Sequence, residues 1–227
     1  MSDEVSFDLA GVGKLAKAIP AKAWNQIVDT ACTAFRQVLA PVTALTGGVG
    51  RLIDAKFDTL VEAQKVLAAE TFTRASEKVR LSKRPFAENV NAKILLEVMD
   101  NSSVETDPLL RELWANLLAD EFVSGEVHPE FPKILVRLSS RDAQTLARIA
   151  QQNSSKEVLA KLRINSLLAT FSVFGVELQF KQSGSFVHEH LQNLDLITRD
   201  GGAWALTLTG AEFLRTVGGD LAGPGVS

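Results

Sequence analysis

Three histidines, one cysteine and a glycine cluster are the residues of this chain whose types and spacing could do chemistry. His188-Glu189-His190 has an i, i+2 spacing, and on a helix those two rings point about 200° apart, so they cannot share one metal. The pattern around them, Phe186 to Leu194, is helical. His128 precedes Pro129, a pair that shapes a loop and a helix start. Cys32 lies in a helical apolar stripe and reads as a small buried side chain rather than a nucleophile. Gly47-Gly48-Val49-Gly50 lacks both the Lys-Ser/Thr and the preceding strand of a phosphate loop. Among the carboxylates, Glu112 and Asp120 read as solvated faces rather than an acid/base pair. No hydrolase or nuclease constellation emerges, so the expectation is a non-enzyme that needs no cofactor and no metal.

The elements that must position these residues are mostly helices. Ala21 to Ala40 has Trp24, Ile27, Val28, Ala31, Phe35, Val38 and Leu39 at a 3.6-residue period, with Pro20 in the first turn and Pro41 ending the run. Val49 to Leu81 reads as one long helix, which would span roughly 45–50 Å at 1.5 Å per residue. Its stripe of Leu52, Ile53, Phe57, Leu60 and Val61 is a candidate assembly surface for a partner or a second copy. Between these helices, Pro41, Gly47, Gly48 and Gly50 mark a helix end and turn. The sharper alternative for residues 37–53 is a hinge or membrane-active segment, because small residues permit close helix approach.

Pro85 restarts a helix, with Val90, Ile94, Leu95 and Val98 inward. Asp107-Pro108 is an N-cap followed by proline at the first helical position, ahead of Leu109, Leu110, Leu113, Trp114, Leu117 and Leu118. A loop over 124–129 leads to a short helix from Pro129 to Leu138. Ser139 and Asp142 frame a capping box, and a second cap at 154–157 precedes a helix over 158–174. Residues 176–181 alternate weakly, as in a short strand. Leu196-Ile197-Thr198 and residues 204–208 flank Asp200-Gly201-Gly202 as a hairpin, and Thr209 with Glu212 caps a last helix. This order resembles a winged helix. The tail over 218–227 reads as disordered.

Composition bounds what these elements can do. The 227 residues are 46% apolar and carry a formal charge of −3, with one Cys and no Tyr. That excludes a disordered chain and a disulfide scaffold. The charge is blocked: residues 71–93 sum to +4, residues 97–130 to −8 and residues 131–163 to +5. Such blocks pair within a fold or between copies. The acidic N-terminus lacks the basic start of a secretory signal, and the longest weakly polar stretch is too short to span a bilayer. The expected place is therefore the cytoplasm, or the periphery of the inner membrane if residues 37–53 touch lipid. Nucleic acid is not an expected partner, because the recognition-helix position offers Gln192 and Asn193 beside Glu189 and Asp195 with no Lys or Arg, and Asp200 cancels Arg199 in the wing.

Residues 111–146 read RELWANLLADEFVSGEVHPEFPKILVRLSSRDAQTL. Trp114, Leu117, Leu118, Ala119, His128, Pro129, Ile134, Leu135, Leu138, Ser139, Asp142, Ala143 and Leu146 resemble the pattern of the abortive infection alpha (Abi-alpha) family. Asn193, Leu194, Leu196, Ile197, Leu208, Thr209 and Phe213 are similar to that family's C-terminal run. The resemblance covers about residues 85–217, with a looser similarity at Pro41 to Ile53. It implies a role in bacterial defence against phage and no catalytic residues, since the matched positions are mostly core. The fold expected is mainly α: long N-terminal helices (1–82) for assembly or membrane action, then a helical domain (83–217). That domain ends in a winged-helix-like module (about 140–217) with a small β-hairpin. The expected partners are a second copy of the chain or a protein of the same defence system, with a phage-encoded trigger. A membrane-perturbing effector and a winged-helix transcriptional regulator are the rival readings.

Overall fold

The computed structural model describes residues 20–46, 48–153, 186–200 and 202–219. Among these residues the chain is mainly helical, with nine helices and one two-stranded antiparallel hairpin. The order is α1 (Ala21–Thr46), α2 (Gly48–Asp58), α3 (Glu62–Ser82), α4 (Ala92–Ser102), α5 (Pro108–Ser124), α6 (Glu130–Val136), α7 (Ser140–Asn153) and α8 (Phe186–Asn193). Strands β1 (Ile197–Asp200) and β2 (Ala203–Leu206) follow, and α9 (Leu208–Val217) ends the series.

Helix α5 is the axis of the molecule. Every residue from Leu113 to Val123 is buried, polar Asn116, Asp120 and Glu121 included. Such a helix is apolar nearly all round because neighbours cover every face: α3, α4, α6 and α9 all pack on it. Asp107 caps it as expected, accepting from the amides of Leu109 (2.9 Å) and Leu110 (3.2 Å). The same carboxylate accepts a hydrogen bond from the Ser140 hydroxyl, which ties the start of α7 to the start of α5. One continuous core joins the N-terminal helices to this body. Phe35 of α1 stacks on Phe57 of α2 (centroids 3.8 Å apart) and tilts against Phe72 of α3 (5.0 Å), and Phe72 meets Phe122 of α5 (6.3 Å).

Four boundaries differ from the sequence reading. Pro41 does not end α1, which continues to Thr46. A proline inside a helix gives up one backbone bond, but Val42 just beyond it is fully buried and Thr43 packs against Gly50, so tertiary contact holds the last turn. The long helix from Val49 to Leu81 is two helices broken at 59–61. The Thr59 hydroxyl donates to the Lys56 carbonyl (2.6 Å), and Val61 is extended at φ −72°, ψ 158°. The break lets Phe57 and Phe72 both reach Phe35, which a straight rod would prevent. Helix α4 starts at Ala92, capped by Asn91, not at Pro85, because the amides of Ala87 and Asn91 bond to α5 instead of to a helix of their own. Helix α9 is capped by Thr207, whose hydroxyl accepts from the Gly210 amide (2.9 Å), rather than by Thr209.

The capping box at Ser139 and Asp142 is present in both directions, with the Ser139 amide donating to Asp142 (2.8 Å) and the Asp142 amide to the Ser139 hydroxyl (3.3 Å). The hairpin pairs Ile197 with Leu206 and Arg199 with Trp204. The expected helix over 158–174, strand over 176–181 and tail beyond 219 lie outside the described residues, as does Gly47. No helix among the described residues is long and apolar enough to cross a membrane.

Candidate functional site

A concave surface lies between α1 and α3. Its floor and walls are Ala23, Ile27, Ala31, Ala34, Val66 and Ala69, its rim carries Gln26, Thr30, Glu70, Thr73, Arg74 and Glu77, and its volume is about 590 Å³. It exists because the first half of α1 has no fully buried residue, while the second half buries Phe35, Val38, Leu39 and Val42. Alanines on both facing helices leave a trough where larger side chains would have filled it. Ile27, part of this lining, is 40% exposed.

An ion network fixes one rim. Glu70 pairs with Arg74 (2.5 Å) and with Arg111, and Glu112 receives both Arg74 (3.2 Å) and Lys78 (2.5 Å). Glu112 is therefore not a solvated face: its side chain is only 16% exposed. These bonds join the basic block at 71–93 to the acidic block at 97–130, so part of the charge alternation is spent within the chain. Arg36 extends the pattern, bridging α1 to Asp54 (3.0 Å) and Asp58 (2.9 Å) of α2.

A second feature is a buried carboxylate. Glu121 of α5 has no exposed surface. One oxygen accepts from the Asn91 amide (2.5 Å) and the other from the Val127 amide (3.1 Å). Burial pushes its pKa up to about 7, against the pull of those two amides, and the neighbouring charge of Asp120 adds to the rise. The carboxylate clamps two loops together. Gly125, at φ +64°, brings the second loop against the Asn89 carbonyl, where a Cβ would lie 2.4 Å from the oxygen. Beyond the clamp, the His128 imidazole accepts from the Glu130 amide (3.2 Å), so His128 and Pro129 do set up the start of α6. His128 also opens onto a cleft of about 400 Å³ shared with Phe131, Leu208, Glu212 and Arg215.

The structure divides the expected assembly stripe. Ile53 and Phe57 are fully buried in the chain's own core and Leu60 is half-buried, which leaves Leu52 and Val61 exposed. The hinge residues also separate. Pro41 and Gly48 are exposed, whereas Gly50 is buried where a Cβ would lie 2.0 Å from the Thr43 hydroxyl oxygen. Trp114, Leu117 and Leu118 are core. His188 stacks on Trp204 while His190 lies 2.8 Å from the Arg137 carbonyl, so the two rings go separate ways as their spacing predicts. Among the described residues no group of three or more His, Cys, Asp or Glu side chains is placed to hold a metal.

Sequence reasoning missed both Glu121 and the groove. The groove had a visible signal, the alanines at 23, 31 and 34 facing another helix with Ala69. Glu121 had none, because its type and its neighbours in the chain suit a solvated face.

No curated protein and no solved structure matches the chain. The family model described as "Abortive infection alpha" matches residues 63–215, from the first turn of α3 into α9. The match begins earlier than the resemblance at 85–217, and α3 is the helix that carries both the groove wall and the ion network. It spans well over half of the chain, and the chain belongs to the abortive infection alpha family.

Proposed function

We propose that this chain is an anti-phage, abortive-infection effector that acts by assembly rather than catalysis, with the α1–α3 groove docking a second copy of the chain. Family membership supports the defence-related role. The groove is the observation that carries the mechanism. Its lining joins alanines to a 40% exposed Ile27, so one surface offers both small and large apolar side chains. A two-fold contact needs that self-complementarity, because each copy offers the same patch. Small residues let helices approach closely enough for ridges to enter grooves. Gly50 already has a packing role against Thr43, which weakens the case for residues 37–53 as a membrane-perturbing segment.

Light scattering across the micromolar range, paired with phage challenge of expressing cells, tests the proposal. The wild type should dimerise, and Ala31→Arg should stay folded by circular dichroism, be monomeric and lose protection. A monomeric wild type, or a dimer that Ala31→Arg leaves intact, overturns the self-assembly reading. Protection that survives in a monomeric variant turns the mechanism toward a partner of the same defence system.

A further inference from the structure

The hairpin carries an aromatic and basic cluster that the groove mechanism does not use. Arg199 and Trp204 are cross-strand partners, and the guanidinium carbon lies 4.7 Å from the indole centroid. The His188 ring of α8 stacks on the same indole, 5.1 Å away and inclined by 26°. Helix α7 packs on both β2 and α8, which closes the cluster from below. The His188 pKa is lowered, first by burial and then by Arg148 and Arg199. Asp200 alternates to the other side of the strand from Arg199, and Glu189 is exposed one residue after His188 on α8.

A guanidinium stacked on an indole is held in one plane, and its edge N–H groups then point outward in a fork that matches a phosphate. Stacking lowers the entropy lost when the fork binds, which a free arginine would pay in full. We propose that Arg199, ordered by Trp204 with His188 stacked on the same indole, forms a site for the phosphates of a nucleic-acid strand. The recognition-helix position carries no cation, so binding here runs along the backbone and is insensitive to base sequence. The site is separate from the α1–α3 groove and does not depend on the chain being a dimer.

Fluorescence anisotropy with a labelled 20-nucleotide single strand and the matching duplex, at 50 and 200 mM salt, tests the site on the full chain. The wild type should bind one of them at low salt, and Arg199→Gln should weaken binding about tenfold. The slope of log affinity against log salt should fall by about 0.7 for a single strand, or 0.9 for a duplex, for each phosphate contact removed. Lys93→Gln, an exposed cation on α4, should leave both quantities unchanged. Trp204→Leu should weaken binding as Arg199→Gln does, since the fork loses its support. Absence of binding at 50 mM salt, equal binding by Arg199→Gln, or an equal loss in Lys93→Gln overturns the proposal. Inorganic phosphate in the millimolar range is the last arm. Binding of phosphate that Arg199→Gln abolishes, with no strand bound, would make the site one for a small anion and refute the nucleic-acid assignment.

Discussion

Glu121 offers the sharpest test of the physical reasoning. A carboxylate with an ordinary pKa of 4.5 that is raised to about 7 in the folded state binds its proton more tightly folded than unfolded. Between those two values the native state holds more protons than the unfolded chain, so stability falls as pH rises. The contribution is fully present below about pH 4.5 and is lost as pH climbs through about 7. At 1.36 kcal/mol per pKa unit the whole loss is about 3 kcal/mol, of which about 2.5 kcal/mol falls between pH 5 and pH 8. Glu121→Gln removes the titration and keeps the shape. It also turns an NH₂ group toward one of the two amides that the carboxylate accepts from, the Asn91 or the Val127 amide. That costs about 1–3 kcal/mol at every pH. The informative quantity is therefore the difference between wild type and variant as a function of pH, which cancels the fixed cost. Urea denaturation at half-unit steps from pH 5 to pH 8 should give a difference curve that moves by about 2–3 kcal/mol toward the variant as pH rises. The amides of Asn91 and Val127 should titrate with the same midpoint, near 7, in heteronuclear NMR spectra. A flat difference curve would mean that Glu121 ionises in the usual carboxylate range and that its burial is relieved by water, and the clamp would lose its pH dependence.

Three further outcomes follow from packing and capping. Gly50→Ala should destabilise by about 1–3 kcal/mol, since the added carbon meets the Thr43 backbone as well as its side chain, while Gly48→Ala, with open space around it, should stay within about 0.5 kcal/mol of wild type in thermal melts. Asp107→Ala removes the α5 cap and the acceptor for Ser140 together, and chemical denaturation should register a loss of about 1–2 kcal/mol. Glu112→Gln leaves Arg74 and Lys78 facing each other without their shared carboxylate. It should destabilise by about 1–2 kcal/mol at low salt and by less at high salt, as seen by repeating the melts from 50 mM to 1 M NaCl.

The parts of this fold legible in the sequence are those that local rules control. Asp107-Pro108 and Ser139 to Asp142 announce helix starts because a capping side chain acts within three residues of itself. The hairpin shows in its alternation and its glycine turn. Where the reading failed, a distant contact had overruled a local preference. Pro41 signals an end, yet α1 runs past it because Val42 has a place in the core. Residues 59–61 signal no break at all, and the break is set by Phe35, which must meet rings from two helices at once. Pro85 signals a start, but the amides beyond it are drawn to Phe122 and Glu121.

The candidate sites follow the same logic with a different result. The apolar stripe at 52–61 satisfied every pattern expected of an assembly surface, and two of its five members are spent on the chain's own core. The groove was hidden for the opposite reason. Its lining is small, and alanine scores as helix former rather than as surface. A binding face that takes a helix must be shallow and close to backbone, so the residues that build it are those least conspicuous in a hydrophobic pattern. The same holds for Arg199, which in sequence is cancelled by Asp200 one position later. A strand sends adjacent side chains to opposite faces, so the two charges share a segment without sharing a surface. Net charge counted along the chain misjudges a site whenever the element is a strand, and on the Arg199 side of the hairpin what remains is a cation over the face of an indole.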